Sequence, residues 1–169
     1  MSETLEKILF LQGVEIFSNL SIEELEKIAR IAENDQYSDN EYLFRQGDPG
    51  NYAYVVVSGK VELFFETRNK GIQPLMTLGE GACFGEMALL DGETRSAGAR
   101  TVTESILSRI SRSDFMHTLA QHPAMALGII AQLSYRLRTT NTRVNGLSKV
   151  VKSFREIYEE STRALGDDA

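Results

Sequence analysis

The feature that most limits how this chain can fold is a double change in its hydrophobic period. From Leu5 to Ala32 apolar residues recur three and four apart; from Asn34 to Arg112 they come in short β-branched and aromatic runs; after Ser113 the helical spacing returns and persists. The central runs are Tyr42–Phe44, Tyr52–Val57, Val61–Phe65, Leu75–Leu78, Ala97–Val102 and Ile106–Ile110. They are separated by Gly47, Asp48-Pro49-Gly50-Asn51, Ser58-Gly59-Lys60, Asn69-Lys70-Gly71 and Gly79-Glu80-Gly81, turn formers at the spacing of an antiparallel roll or barrel. Ahead of them, Ser21-Ile22-Glu23-Glu24 has the form of a helix cap with an acidic first turn, which places two short helices there. Behind them, Ser113-Asp114 can cap the next helix. The expected organisation is N-terminal helices at 1–33, a β-roll at 34–112 and C-terminal helices at 113–169.

The last of these segments carries a second pattern. Ile130, Leu133, Leu137, Thr140, Val144, Leu147, Val151, Phe154, Tyr158, Ser161 and Leu165 alternate at spacings of three and four. That is an a/d seam over about five heptads, and it predicts a parallel homodimer through a coiled coil rather than a helix lying on its own roll. Such a helix extends past any core a small roll can offer. Thr140, with Asn141 beside it, puts a hydroxyl where the seam wants Leu or Ile, and polar seam residues can fix register. Gly146 costs about 1 kcal/mol relative to Ala and can mark a bend.

Between the strands lies the chemistry. Phe84-Gly85-Glu86-Met87-Ala88-Leu89-Leu90 and then Arg95-Ser96-Ala97 put a turn, a carboxylate, one helical turn and a guanidinium into the thirteen residues from Gly85 to Ala97. Unpaired N–H groups opening a short helix carry the positive dipole end, so the Glu86, Met87 and Ala88 amides suit an anion, and Gly85 allows close approach. The planar guanidinium of Arg95 can grip two phosphate oxygens. A carboxylate at Glu86 opposes a phosphate electrostatically unless it accepts from a sugar hydroxyl, as an acidic residue does on ribose in dinucleotide folds. Phosphate and ribose together indicate a nucleotide.

With every one of those positions filled, the chain resembles the cyclic nucleotide-binding domain family, whose phosphate-binding cassette reads Phe-Gly-Glu, two or three apolar residues, a loop, then Arg-Ser/Thr/Ala-Ala. Within it the chain is similar to the catabolite activator (cAMP receptor) branch over roughly Ile16 through Leu147. The resemblance implies a mainly β fold with flanking α-helices: an eight-stranded antiparallel, jelly-roll-like β-roll with N-terminal helices, a short phosphate-binding helix and a long C-terminal dimerisation helix. It implies ligand contacts from Phe84, Gly85, Glu86, Met87, Ala88, Arg95, Ser96 and Ala97. The corresponding helix of that branch also supplies a Thr and a neighbouring Ser to adenine; Thr140 matches that pattern and Asn141 departs from it, although an amide can read a base edge as donor and acceptor. Ser96 after Arg95 fits cAMP in preference to cGMP, since cGMP-preferring kinase domains tend to carry Thr there.

Composition closes off other classes. At 169 residues, 42% hydrophobic and 25% charged, the chain has the balance of a globular domain with a helical appendage. It offers neither a run of eighteen apolar residues nor a basic, greasy start, so no membrane partner and a cytoplasmic location are expected. The net charge of −6 argues against nonspecific nucleic-acid binding. About twenty residues follow Leu147 in the same helical pattern, too few for a helix-turn-helix, so no DNA partner is expected. Cys83, the one cysteine, reads as a small buried hydrophobe on a strand. The two histidines, His117 and His122, follow the roll rather than sit in it, which removes a cupin-type metal enzyme. Ser96 has no evident base, and no metal ligand set or cofactor signature is present, so an enzyme is not expected. The expected function is a cyclic nucleotide sensor that signals through its dimerising helix to a protein effector. The alternatives are a dimerisation domain of the same fold that has lost its ligand, or the sensor piece of a larger regulated protein.

Overall fold

The computed structural model describes the backbone of residues 3–166 and the side chains of residues 4–155. Ser21 closes a full capping box: its hydroxyl accepts from the Glu24 N–H at 3.2 Å, and the Glu24 carboxylate accepts from the Ser21 N–H at 2.8 Å. Two orphan donors are satisfied there, and helix α2 (Ile22–Ile31) begins, following α1 (Glu3–Gln12) and a 3-10 turn at Glu15–Phe17. This N-terminal segment buries Ile8, Leu11, Val14, Phe17, Leu25 and Ile28.

Eight strands follow: β1 (Ala32–Tyr37), β2 (Tyr42–Phe44), β3 (Tyr52–Ser58), β4 (Val61–Thr67), β5 (Gly71–Leu78), β6 (Cys83–Phe84), β7 (Gly98–Thr101) and β8 (Ser105–Ser111). They form two four-stranded antiparallel sheets, ordered β1-β8-β3-β6 and β2-β7-β4-β5, the eight-stranded roll that the resemblance implies. One cluster of the core joins them through Tyr54, Val56, Val61, Phe84, Ala99 and Leu107. Each of the six sequence-predicted runs contributes a strand, while β1 and β6 had no run to announce them. β1 reads Ala-Glu-Asn-Asp-Gln-Tyr because it is an edge strand with one neighbour; Arg109 of β8 fastens it by ion pairs to Glu33 at 3.0 Å and Asp35 at 2.9 Å. β5 begins at Gly71 rather than Leu75, and it tolerates Pro74 as an edge strand whose register shifts opposite Leu63 and Phe64. Cys83 is half-buried rather than buried.

A short helix α3 (Glu86–Asp91) lies between β6 and β7, and α4 (Arg112–Gln121) follows β8. The cap of α4 is Ser111, not Ser113-Asp114: the Ser111 hydroxyl accepts from the Asp114 N–H at 3.1 Å. His117 is exposed on α4, and His122 is its half-buried C-cap.

Helix α5 runs unbroken from Pro123 to Gly166, so Gly146 does not interrupt it. The chain divides into two units, Met1–Gln132 and Leu133–Ala169, and α5 contributes to both. In the first, Met125, Ile129 and Gln132 are buried, and the 6% exposed Gln132 bonds with Ser18, Asn19 and Glu15. In the second, Leu137, Thr140, Val144, Leu147, Val151 and Phe154 are exposed. The predicted seam residues Tyr158, Ser161 and Leu165 have side chains outside the described residues. No helix among the described residues is long and apolar enough to cross a membrane.

Candidate functional site

Gly85 sets the site's geometry. Its φ of +73° is a left-handed conformation that an L side chain adopts only with strain, and it turns the chain from β6 into α3. A Cβ there would stand 2.5 Å from Arg95 Nη1, so glycine is required by space as well as by backbone. The short helix then lies tight on the loop before β3: a Cβ at Gly50 would meet Ala88 Cβ at 2.1 Å. Phe84, ahead of the turn, commits its ring to the core and stacks on Tyr54 with centroids 5.3 Å apart.

Arg95 lies under this turn, 4% exposed. Its Nη1 donates to the Gly85 carbonyl at 2.9 Å, its Nη2 donates to the Tyr52 carbonyl at 2.5 Å, and its Cζ stands 4.0 Å from the Phe44 ring centroid. A guanidinium has five N–H donors, so these two bonds leave three. One of them, on Nε, is buried and has no hydrogen-bond partner among the described residues. Burial pulls the guanidinium below its ordinary pKa, and the nearby Tyr54, Asp48 and Glu86 oppose that pull. Arginine stays charged under such a shift, so a cation is held in a place that disfavours it, with donor capacity unspent. Glu86, 7% exposed, lies one residue past the turn and acts on Arg95 as one of the opposing charges.

The loop carrying Arg95 is fixed by backbone bonds. Gly47 N–H donates to Arg95 O and Arg95 N–H to Asp48 O, both at 2.9 Å, and Pro49 bridges Thr94. This is where the sequence reading fell short: Gly47, Asp48, Pro49 and Gly50 carried only a turn signal, yet they brace the cassette. Phe44 and Tyr52 likewise read only as strand residues. Nothing local marks a carbonyl or a ring as the partner of an arginine forty or more positions away.

Of the predicted site residues, Phe84, Gly85, Glu86, Ala88 and Arg95 come together in the first unit in this way. Met87 is exposed on α3, Ser96 is exposed on the loop, and Ala97 is half-buried before β7. Thr140 and Asn141 fall on the second unit, both exposed. Among the described residues no group of His, Cys, Asp and Glu could hold a metal ion.

Residues 34–122, more than half of the chain, match the family model of the cyclic nucleotide-binding domain. The cyclic AMP receptor protein of Thermus thermophilus is 34% identical over 138 residues, 82% of this chain and 64% of that protein. A cAMP-dependent protein kinase regulatory subunit of Emericella nidulans is 35% identical over 111 residues, 65% of this chain and 26% of that protein. Among solved structures, the Thermus thermophilus catabolite activator protein is similar with a TM-score of 0.68 and 34% identity, over 79% of this chain and 63% of that one. The chain thus spans less than two thirds of the length of these relatives. The buried arginine beneath a left-handed glycine, the carboxylate one residue on and the roll that frames them agree with that match, and the chain belongs to the cyclic nucleotide-binding domain family, as a regulatory-type domain similar to the catabolite activators and the kinase regulatory subunits.

Proposed function

We propose that the chain is a sensor module, not an enzyme, that binds a cyclic mononucleotide, cAMP in preference to cGMP, and signals through α5 to a protein effector. The observation that carries this reading is Arg95, a buried cation whose Nε donor is unspent beneath Gly85. A cyclic phosphate gives such a cation its counter-charge and gives the first amides of α3 an acceptor. Glu86 then takes a ribose hydroxyl. The choice of cAMP is supported by Ser96 after Arg95 and by the name of the Thermus relative. Base recognition by Thr140 and Asn141 is supported by the family resemblance alone.

Calorimetric titration with cAMP and cGMP tests the reading. Arg95→Ala removes charge-assisted bonds worth roughly 1.5–3 kcal/mol each, so affinity falls at least about tenfold. Unchanged affinity in that variant sinks the assignment, and no binding of either nucleotide favours a dimerisation domain that has lost its ligand.

The same reading includes a parallel homodimer through the seam from Ile130 onward. Leu147 is 66% exposed and Phe154 is 69% exposed, and apolar a/d residues need a facing surface. Truncation after Gln132, which keeps the buried Ile129 and Gln132, yields monomers in light scattering if this is right. Persistent dimers place the interface on the roll.

A further inference from the structure

The charge of this chain is divided along its length. Residues 1–132 hold eleven Lys and Arg against nineteen Asp and Glu, a net −8. Residues 133–155 hold Arg136, Arg138, Arg143, Lys149, Lys152 and Arg155 and no acidic residue, a net +6, and residues 156–169 return to a net −4, with Arg163 against Glu156, Glu159, Glu160, Asp167 and Asp168. Three cations of the roll are matched within the molecule: Arg100 with Glu62 at 2.7 Å, Arg45 with Glu66 at 2.7 Å, and Arg109 with Glu33 and Asp35. Among the described residues Arg138, Arg143, Lys149, Lys152 and Arg155 form no ion pair, and apart from Arg136, which is half-buried, these cations are exposed.

A second copy does not match them either. With Leu137, Val144 and Val151 at a and Thr140, Leu147 and Phe154 at d, Arg136 and Arg143 take g positions and Arg155 an e position. In a parallel pair each g side chain faces the e residue of the partner's next heptad, and these pairs decide partner choice. Here they are Arg136 with Asn141, Arg143 with Ser148 and Val150 with Arg155, none of which brings a carboxylate. Arg138, Lys149 and Lys152 fall at b and f, outside the seam altogether. Pairing therefore doubles the positive charge between Arg136 and Arg155 and brings no carboxylate to it across the seam.

We propose that the basic flanks of α5 between Arg136 and Arg155 are a docking surface for an acidic segment of a partner protein. The proposal rests on the dimer reading above, in which the second copy covers the a/d residues. Charge complementarity selects an anionic partner. The seam selects a protein over a bilayer: a strict a/d stripe is narrow, and once it is closed little apolar face remains to enter lipid. The net −8 of residues 1–132 opposes binding to an extended polyanion such as a membrane or a duplex, whereas a short acidic segment can engage the basic stretch alone.

The test uses the full chain and a fluorescein-labelled, glutamate-rich helical peptide, read by anisotropy at physiological salt. Binding is expected and weakens as salt rises. The triple variant Arg138→Glu, Lys149→Glu, Lys152→Glu removes three exposed charge pairs and binds about tenfold or more weakly, while light scattering still reports a dimer because b and f lie outside the seam. Peptide binding that ignores the three substitutions overturns the proposal, as does tighter binding to phosphatidylserine vesicles or to a DNA duplex. Monomers in light scattering that still bind the peptide in a charge-dependent way overturn the dimer reading and support the docking surface.

Discussion

Arg100 and Arg138 carry the same charge in two different settings. Arg100 on β7 is three-quarters covered, spans a cross-strand pair to Glu62 of β4 and makes two bonds to its carboxylate, at 2.9 Å and 2.7 Å. Arg138 on α5 is exposed and unmatched by any described residue. The contrast holds for apolar residues too. Phe64 in the roll is fully buried and meets the ring of Tyr42 edge-on at 5.8 Å, whereas Phe154 on α5 is exposed. Arg100 and Phe64 both find their counterparts in the same chain, because other strands of the sheet β2-β7-β4-β5 supply Glu62 and Tyr42. Past Gln132 the described part of α5 carries a stripe of exposed apolar residues, Leu137, Val144, Leu147, Val151 and Phe154. The first unit holds the buried core, and the exposed stripe of the second is the observation behind the proposed dimer.

The largest expected effect separates those two phenylalanines. Phe64→Ala opens a cavity in the roll and costs about 3–5 kcal/mol of unfolding free energy. Phe154→Ala leaves the unfolding of the roll within about 0.5 kcal/mol of the original, and its effect appears as weaker self-association. Denaturant melts and light scattering on the two variants check this, and equal destabilisation breaks the distinction between the regions.

Gly85→Ala is next. It forces a left-handed conformation on a residue with a Cβ, at roughly 1–2 kcal/mol, and it drives that Cβ toward Arg95 Nη1. Stability falls by about that amount, and nucleotide binding falls with it because Arg95 must move. A variant that melts as the original does and binds normally shows that the turn does not hold the arginine.

The smallest effect is alkaline. Burial, with Tyr54 adding to it, pushes the Tyr37 phenol up to about 12 from 10.0, and burial also raises Tyr54. The fold prefers these phenols neutral, so their contribution is complete below pH 10, where the unfolded chain is neutral as well. It is lost as pH climbs from 10 through about 12. Ultraviolet titration of phenolate alongside a melt series checks it. Ordinary titration near pH 10 contradicts the burial described for the roll.

Much of the molecule can be read locally. The capping box at Ser21, six of the eight strands and the heptad of α5 each follow from residues a few positions apart, because caps, pleats and helical stripes are short-range patterns. The cassette is legible for the same reason, since glycine, carboxylate and arginine lie within one short stretch of chain. β1 and β6 were not legible. A polar edge strand and a two-residue strand have no period to show, and only their partners β8 and β3 make them strands.

The sequence by itself determined that there would be an antiparallel roll or barrel, a glycine, a carboxylate and an arginine gathered in one short stretch, and a long helix with an a/d seam, because residue type and spacing are enough for those. Only the tertiary structure decided what Arg95 does. Its neighbours Tyr52, Phe44 and Asp48 lie more than forty residues away along the chain, and closing the two sheets brings a carbonyl, a ring and a charge to one guanidinium. Tertiary packing likewise decided where α5 stops being core: Met125, Ile129 and Gln132 meet the first unit, and the same helical pattern continues past Leu133 with nothing described to cover it. Periodicity shows which face of a helix is apolar, but what that face rests against is settled by the rest of the fold.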